Sequence, residues 1–254
     1  MPRCGMQGSM IRHRLDPRLD GLPPGRRIYA VGDVHGYLER LQRIHGAIRD
    51  DLQARPCADA VVVHLGDYID RGPDSAGVIA LLLAGPPAPG VAVVNLCGNH
   101  ESLLLQALDD GGPGAVDDWL RNGGLETLRS WGIPSRSPAR DWASRLPPGH
   151  LAFLRSLDLH WLSGAALFVH AGVRPGVTLQ RQTPDDMLWI REDFLRWRGT
   201  MLPDQPGTLI VHGHTPAPKP ELRSNRLGLD TGAGRGGPLT CAVLEGTEAA
   251  FLQA

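Results

Sequence analysis

Five apolar segments of this 254-residue chain each lead into a turn that carries Asp, Asn or His. The turns read Gly-Asp-Val-His-Gly at 32–36, Gly-Asp-Tyr-Ile-Asp-Arg-Gly at 66–72, Gly-Asn-His-Glu at 98–101, Val-His-Ala-Gly at 169–172 and Gly-His-Thr-Pro at 213–216. In α/β proteins, ligands bind beyond the carboxyl ends of buried strands, where such turns lie. We therefore expect the five turns to meet in one cluster, although they are far apart in the sequence.

Six side chains of these turns are of the types that bind divalent metal ions. They are Asp33, His35, Asp67, Asn99, His170 and His214. Carboxylate, imidazole and amide oxygen suit Mn²⁺, Fe or Zn²⁺, whereas a structural zinc site uses thiolates and a Ca²⁺ site uses only oxygen ligands. Six ligands are too many for one catalytic ion with open positions, but they suffice for two ions ~3.5–4 Å apart that share a carboxylate. Such a pair lowers the pKa of a bridging water and neutralises the charge of a phosphoryl group under attack.

Each of these residues taken alone has an ordinary structural explanation, and only the set favours a metal site. Asp33 and His35 after a strand are typical of a turn, and Asn99 before a helix is typical of an N-cap. His64 lies within an apolar run and is expected in the core. Surface or capping positions are predicted for His13, His45, His150 and His160.

The periodicity of apolar residues predicts an alternating β-α pattern that would position the turns. Strands are predicted at 27–32, 60–66, 91–96, 165–170, 208–212, 226–229, 239–244 and 249–252, and helices at 37–52, 75–84 and 101–108. The first part reads β-α-β-α-β-α, which predicts parallel strands in a sheet covered on both faces. We predict one α/β domain over 26–254, with a loose N-terminal arm at 1–25 and a helical insertion at about 109–150, whose tryptophans are expected in the core.

The composition argues against a nucleic-acid-binding protein and against a membrane protein. The chain has 26 Lys and Arg against 27 Asp and Glu, so a basic surface for nucleic acid is not expected. The uncharged segment 76–94 is interrupted by Gly-Pro-Pro-Ala-Pro-Gly, which predicts a helix, a turn and a strand rather than a membrane span. The four cysteines are widely spaced and no signal peptide is recognisable, which favours the reducing cytoplasm. Nothing in the sequence indicates the oligomeric state.

Together, the five motifs resemble those of the phosphoprotein phosphatase branch of the calcineurin-like metallophosphoesterases. The similarity is greatest to the small bacterial and phage serine/threonine phosphatases of that branch. The matches run from Gly32 to Pro216, and Leu-Asp-Thr-Gly-Ala at 229–233 is a further similar stretch. Five motifs in this order and spacing make the resemblance specific. It implies a four-layer α-β-β-α sandwich, with two sheets inside, helices outside and a site at one rim.

The resemblance implies which residues hold each metal ion. Asp67 would bridge the two ions. In the His-x-His pair at 212–214, the motif glycine directly precedes His214, which makes His214 the ligand and leaves His212 as a supporting residue of the strand. The other implied ligands are Asp33 and His35 for the first ion and Asn99 and His170, with His214, for the second.

The resemblance also implies catalytic and phosphate-binding roles. His100, as an imidazolium, would protonate the leaving alkoxide, while Asp70 would orient it and favour its charged form. The implied phosphate-binding residues are Arg71, Asn99 and Arg191, with Arg174 and Arg181 as less favoured substitutes for Arg191.

The implied activity is phosphoester hydrolysis by direct attack of a metal-bridging hydroxide, without a phosphoenzyme. Mn²⁺ is the expected metal, with Fe and Zn²⁺ as alternatives, and the expected partner is a phosphorylated protein or a small phosphoester.

The expected substrate class depends on Asp70. Protein phosphatases carry an Asp-Arg pair at the place of Asp70 and Arg71, whereas diadenosine tetraphosphatases typically lack that Asp. Phosphoserine and phosphothreonine are therefore the expected substrates. A diadenosine tetraphosphatase or a broad small-molecule phosphoesterase is the alternative. A non-catalytic binding module would be expected to have lost a ligand or His100. Arg121 and Gly123-Gly124 are candidates to line a substrate groove.

Overall fold

The computed structural model describes residues 11–110 and 112–254, which form two β-sheets flanked by helices. The strands are β1 (His13–Arg14), β2 (Arg26–Val31), β3 (Asp59–His64), β4 (Ala92–Asn95), β5 (His160–Ser163), β6 (Ala166–Val169), β7 (Leu209–His212), β8 (Glu221–Leu222), β9 (Arg226–Gly228), β10 (Thr240–Glu245) and β11 (Glu248–Gln253). The α-helices are α1 (Leu38–Ala54), α2 (Ser75–Leu83), α3 (Asn99–Asp110), α4 (Pro113–Trp119), α5 (Leu125–Ser130), α6 (Trp142–Arg145), α7 (Pro148–Arg155), α8 (Pro184–Trp189) and α9 (Glu192–Leu195). No helix within these two ranges is long and apolar enough to cross a membrane.

The first sheet brings three of the chemistry-bearing turns to one edge. Its strand order is β1-β11-β10-β2-β3-β4, and β2, β3 and β4 are parallel, as the β-α pattern predicts. Val31 pairs with His64, and His64 pairs with Asn95, so the three strands end at the same level. The turns that follow these strands therefore leave the sheet side by side.

The second sheet brings the remaining chemistry-bearing turns to one edge. Its strand order is β5-β6-β7-β9-β8, with β6, β7 and β9 parallel. Phe168 pairs with Val211 and His212 pairs with Gly228, which aligns the carboxyl ends of these three strands. His170 and His214 follow β6 and β7, and Asp230 follows β9.

Three apolar clusters separate the layers of the fold. Along β2, Ile28 and Ala30 face the second sheet while Tyr29 and Val31 face the helices, which is the alternation expected of a strand buried on both faces. The cluster between the sheets continues through Val61, Val63, Phe168, Val211 and Leu227. The outer clusters pack α1 to α3 on the first sheet, and α8 and α9 on the second. This order of helix, sheet, sheet and helix confirms the predicted four-layer α-β-β-α sandwich.

The prediction of a loose arm over residues 1–25 is wrong for residues 13–22. Strand β1 pairs with β11, and Leu15 N–H donates to Thr247 O at 2.9 Å. Leu15 and Leu22 are buried in the cluster between the sheets. Strand β1 has only two residues, which is too short for a periodic signal, and the two-residue strand β8 was missed for the same reason. The four-residue strand β5 was also missed. Residues 1–10 lie outside the described residues.

The segment predicted as a helical insertion consists of short helices. Helices α4 to α7 lie between 113 and 155, and a kink within Leu120–Gly124, where Gly123 has a φ of 110°, joins α4 to α5. Trp119 and Trp142 are buried, as expected, with their rings 5.4 Å apart in an edge-to-face arrangement.

His45 is buried, and its predicted surface position is therefore wrong. Its Nε2 lies 3.0 Å from Nε2 of His64, whose Nδ1 lies 2.8 Å from Asn95 Oδ1. Because the amide oxygen only accepts, His64 Nδ1 carries the proton, and His45 Nε2 donates to His64 Nε2. Burial lowers the pKa of His45 to about 4 and that of His64 to about 3. Both rings are therefore neutral at pH 7.

The free energy of unfolding is expected to fall as the pH falls from about 6.5 to 4. In the unfolded chain both histidines bind a proton below pH ~6.5, whereas in the folded protein they bind one only near their lowered pKa values. The decrease is at most ~1.4 kcal/mol per pH unit for each histidine. His45→Gln should flatten this dependence. Urea denaturation of metal-free protein between pH 7 and pH 4.5 measures how the free energy of unfolding depends on pH, and His13→Gln, at an exposed histidine, is the control. An unchanged slope in His45→Gln would contradict the prediction.

Candidate metal centre

The turns that follow the strands contain all the non-glycine residues of positive φ in the described ranges. These are His35, Asp67, Asp70, Arg71 and His214, with φ of 49°, 53°, 70°, 68° and 65°. The left-handed conformation costs ~1–2 kcal/mol per residue, and such residues concentrate at functional sites. Backbone bonds between the turns offset this cost, as where His35 N–H donates to Asp67 O at 2.8 Å. The strained backbone therefore coincides with the residues selected from the sequence for their chemistry.

Two groups of buried ligand side chains share the carboxylate of Asp67. One group is His35, Asp67 and His100, the other is Asp67, His170 and His214, and within each the ligand atoms lie within 4.8 Å of one another. Asp67 Oδ2 is 3.5 Å from His35 Nε2, and Asp67 Oδ1 is 3.4 Å from His170 Nε2. The two oxygens of Asp67 thus face different groups, as expected of a carboxylate shared by two ions.

Backbone carbonyls orient two of these imidazoles. His35 Nδ1 donates to Ile69 O at 3.1 Å, and His170 Nδ1 donates to Leu65 O at 2.9 Å. A proton on Nδ1 leaves the Nε2 lone pair facing Asp67, which is the tautomer that a metal ligand needs. Burial lowers the pKa of both histidines, so both rings are neutral.

Asn99 joins the second group through its side-chain oxygen. Asn99 Oδ1 lies 2.9 Å from His170 Nε2 and 2.9 Å from His214 Nδ1. His214 Nε2 is buried and has no hydrogen-bond partner in the part of the chain that the structure describes. Burial lowers the pKa of His214 to about 2, with His170 as a further cause. A buried polar atom without a partner is rare in folded proteins, and a divalent ion would satisfy it. The second group therefore fits a metal ion.

Asp33 lies beside these groups but belongs to neither of them. Its Oδ1 and Oδ2 accept His214 N–H at 3.2 Å and 3.1 Å, which links the first turn to the last. Burial raises the pKa of Asp33 well above its usual range, and the carboxyls of Asp230 and Asp67 raise it further. Sequence reasoning gave Asp230 no role, although its position after β9 was the signal that could have found it. Three buried carboxyls in one place form a site that divalent cations would neutralise.

His100, Asp70 and Arg71 form a connected set at the edge of the first group. His100 Nδ1 donates to Asp70 Oδ2 at 2.7 Å, and Arg71 Nη2 donates to His100 Nε2 at 2.8 Å. Arg71 Nη1 donates to His35 Nε2 at 2.9 Å. Burial lowers the pKa of His100, Asp67 opposes this, and the Arg71 guanidinium lowers it further. The sequence-predicted pair of His100 and Asp70 is therefore in hydrogen-bond contact, with Arg71 against both imidazoles.

Glu101 holds the turn that carries Asp67, a role that sequence reasoning missed. Glu101 Oε2 accepts Asp67 N–H and Gly98 N–H at 2.8 Å and 2.9 Å, and its Oε1 accepts Tyr68 N–H and Ile69 N–H at 2.8 Å and 3.3 Å. Burial raises the pKa of Glu101 to about 8, and the N–H groups of Tyr68, Asp67 and Gly98 oppose the rise. The signal in the sequence was its place directly after His100. Glu101 thus sets the backbone from which Asp67 projects.

Of the three candidate arginines, Arg191 lies nearest to the centre. Its Nη1 contacts Thr215 Oγ1 at 3.5 Å, next to His214, and its charge lowers the pKa of His214 and His170 after larger contributions from burial. Arg174 instead pairs with Asp186 at 2.7 Å, and Arg181 lines a groove with Arg174 and Asp186. Arg191 and Arg174 both line a groove of about 530 Å³.

The chain is similar to known phosphoesterases along most of its length. The sequence model of the family described as calcineurin-like phosphoesterase matches residues 26–238. Serine/threonine-protein phosphatase 1 of Salmonella typhimurium is 31% identical over 234 residues, which cover 87% of this chain and 93% of that protein. The symmetrical bis(5'-nucleosyl)-tetraphosphatase of Paracidovorax citrulli is 33% identical over 152 residues, which cover 59% of this chain and 46% of that protein.

A solved structure supports the same fold. The cold-active protein-tyrosine phosphatase of a psychrophilic Shewanella aligns with a TM-score of 0.58 and 17% identity, over 96% of this chain and 84% of that one. At this identity the likeness concerns the fold alone. The family match spans most of the chain, and the Salmonella relative is similar along nearly its whole length. The chain therefore belongs to the calcineurin-like phosphoesterase family.

Proposed function

We propose that this protein is a dinuclear-metal-dependent phosphatase that removes phosphate from phosphoserine and phosphothreonine. The observation that carries the proposal is the 2.7 Å hydrogen bond from His100 Nδ1 to Asp70 Oδ2, beside the shared Asp67 carboxylate. Serine and threonine alkoxides are poor leaving groups, so their departure gains most from an acid that protonates the oxygen. The 31% identity to a bacterial serine/threonine-protein phosphatase supports this substrate class.

Two divalent ions fit the proposed ligands. Asp67 would be shared, His35 and Asp33 would complete one ion's ligands, and the other ion would be held by Asn99, His170 and His214. When bound, the ions supply an activated water and neutralise negative charge on the phosphoryl group. We propose Mn²⁺ because the ligands are oxygens and imidazoles without thiolate, a set that Fe and Zn²⁺ also accept.

Arg71 is proposed to bind the substrate phosphate with Asn99 and Arg191. Its two terminal nitrogens already point into the centre, where they donate to His35 Nε2 and His100 Nε2 at 2.9 Å and 2.8 Å. A guanidinium binds two phosphate oxygens with parallel N–H donors, which an imidazole cannot match. When Arg71 turns to the phosphate, His100 Nε2 becomes free to hold the proton that the leaving oxygen receives.

A hydrolase of dinucleoside tetraphosphates is the second candidate. The observation that favours it is the 33% identity to a symmetrical bis(5'-nucleosyl)-tetraphosphatase, although the match covers 46% of that protein. It would use the same metal ligands, and so would a broad small-molecule phosphoesterase. Asp70 favours the protein phosphatase, because the resemblance implies that diadenosine tetraphosphatases typically lack it. A non-catalytic binding module is unsupported, since no proposed ligand is missing.

Phosphate release by metal-stripped protein with Mn²⁺ restored tests the proposal. A phosphothreonine peptide, p-nitrophenyl phosphate and diadenosine tetraphosphate are compared side by side, with His170→Asn as the control for contaminating phosphatase. We expect the highest kcat/KM with the peptide. A preference for the dinucleotide would keep the metal centre and overturn the substrate, and no turnover with any divalent metal would overturn the enzymatic proposal itself.

We also propose that residues 26–254 act as one domain in which about 109–150 is inserted, and that the protein works in the cytoplasm. The four-layer arrangement supports the first proposal, since its outer clusters include residues from both ends of this range. Cys57, Cys97 and Cys241, the cysteines that the structure describes, are free thiols, which fits a reducing compartment.

A further inference from the structure

We propose that residues 113–130 of the helical insertion form a clamp that holds the strained Asp70-Arg71 dipeptide. Within this clamp, Trp119 and Thr127 are positioning residues for His100. The inference rests on the proposed function, in which His100 protonates the leaving oxygen and Arg71 binds the phosphate. It gives the insertion a part in the chemistry, although none of its residues belongs to the two ligand groups around Asp67.

The clamp fixes the carboxylate of Asp70 by hydrogen bonds from two side chains. Trp119 Nε1 donates to Asp70 Oδ1 and Oδ2 at 3.1 Å and 3.0 Å, and Thr127 Oγ1 donates to Asp70 Oδ1 at 2.6 Å. Asp70, Trp119 and Thr127 are each fully buried. With Oδ1 held by Thr127, the carboxylate cannot rotate without breaking these bonds, and Oδ2 stays directed at His100 Nδ1.

The clamp also holds the backbone of the dipeptide. Asp70 N–H donates to Thr127 Oγ1 at 2.8 Å and to Ser75 Oγ at 3.1 Å. Thr127 gives its single hydroxyl proton to Asp70 Oδ1, so the 2.9 Å contact between the two hydroxyls has Ser75 as its donor. Arg71 N–H donates to Gly123 O at 3.3 Å. Asp70 and Arg71 keep their positive φ of 70° and 68° with both N–H groups bonded to the insertion.

Two adjacent glycines allow this close approach. Gly123 has a φ of 110°, and a Cβ there would lie 2.9 Å from Arg71 N and Cγ. A Cβ on Gly124 would lie 2.5 Å from the Trp119 indole. Arg121 is exposed and pairs with Asp118 at 2.6 Å, and a substrate groove lined by Arg121 and these glycines stays a prediction. The two glycines bring the insertion against Arg71 and Trp119.

The experiment distinguishes two roles of Trp119 and Thr127, the positioning of His100 and a purely structural role. The distinction is whether the loss of kcat in their variants depends on the leaving group of the substrate. Trp119→Phe and Thr127→Val remove the donors to Asp70, while Thr127→Ser keeps the hydroxyl. Trp142→Phe is the matched control, because Trp142 is also buried in the insertion but its Nε1 donates to Ser137 O at 3.0 Å. The substrates are a phosphothreonine peptide, phenyl phosphate and p-nitrophenyl phosphate, whose leaving groups differ in their need for a proton.

We expect Trp119→Phe and Thr127→Val to lower kcat on the peptide about tenfold. This is a part of the ~10²–10⁴-fold rate acceleration that a positioned general acid contributes. Turnover of p-nitrophenyl phosphate should change less than about twofold, because its leaving group needs no proton. The plot of log kcat against leaving-group pKa should therefore become steeper in both variants. Thr127→Ser should restore the native slope, and Trp142→Phe should keep it.

A second measurement does not depend on activity. In metal-free protein, the Nδ1 proton of His100 gives an NMR signal that His100→Asn removes, and its exchange with water reports how firmly Asp70 holds the ring. We expect faster exchange in Trp119→Phe and Thr127→Val than in the native protein and Trp142→Phe. Unchanged exchange, together with equal losses of kcat on every substrate, would overturn the clamp.

The outcomes separate the clamp from the proposed function. If the native protein hydrolyses the peptide and His100→Asn shows the leaving-group dependence while Trp119→Phe does not, the clamp is wrong and the function stands. If the native protein hydrolyses none of the substrates, the proposed function fails, and the proton exchange of His100 alone decides whether the insertion positions the ring.

Discussion

Asp67→Asn is expected to bind neither metal ion, whereas Asp33→Asn and His170→Asn are each expected to lose one. The reason is that the two oxygens of Asp67 face different ligand groups, His35 at 3.5 Å and His170 at 3.4 Å. An amide keeps the shape of the side chain and its Oδ1 acceptor for His100 N–H, but it removes the negative charge that the two ions are proposed to share. With metal ions supplying several kcal/mol of transition-state stabilisation, kcat/KM should fall by ~10³-fold or more.

The number of metal ions bound per chain is measured by metal analysis after the protein is loaded with Mn²⁺ and desalted. The native protein should hold two ions per chain, and the exposed control Asp118→Asn should hold the same number. Urea denaturation in the absence of metal checks that Asp67→Asn is folded. Retention of one tightly bound ion in Asp67→Asn would show that its carboxylate serves only one site, and the assignment of the bridge would have to change.

His100→Asn is expected to slow the hydrolysis of a phosphothreonine peptide by ~10²–10⁴-fold and that of p-nitrophenyl phosphate by less than ~10-fold. The difference follows from the leaving groups. Threonine alkoxide is strongly basic and must receive a proton, whereas p-nitrophenolate is stable as an anion. Asp70 holds the Nδ1 side of the ring at 2.7 Å, so Nε2 is the atom that can give the proton.

Single-turnover rates on both substrates, at saturating Mn²⁺, test the assignment. Arg71→Ala is the contrasting variant. It removes the guanidinium proposed to bind the phosphate group that both substrates share, so it should slow both reactions equally. Equal losses on the two substrates in His100→Asn would instead indicate that His100 acts on the metal centre, where its Nε2 lies 3.9 Å from Asp67 Oδ2.

The candidate centre was largely predictable because it is built from the ends of parallel strands. Apolar runs of the right length predict β2, β3 and β4, and helices between them require parallel pairing. Parallel strands in register end along one edge, so Asp33, Asp67 and Asn99 had to come close together. The same argument holds for His170 and His214 after β6 and β7.

Other parts were not predictable because no local pattern carries them. Strand β1 is too short for periodicity, and His45 occupies a helix position whose burial depends on what packs against it. Asp230 follows a predicted strand, but its closeness to Asp33 and Asp67 depends on how the two sheets pack together. The positive φ of Asp67 and Asp70 could not be predicted from the sequence either. These residues adopt it only where tertiary hydrogen bonds, such as those to Glu101 and Thr127, compensate the strain.

The amino-acid sequence was sufficient to determine which ligand-type side chains follow the strands, because these are local properties of the chain. Tertiary packing alone decided which side chains surround Asp70. The donors to Asp70 come from Trp119 and Thr127, which are 49 and 57 residues away in the chain. Their approach depends on Gly123 and Gly124, which bring the insertion against Arg71 and Trp119, and on the desolvation that makes each unpaired polar atom costly. Such contacts arise only when distant segments meet in the folded protein.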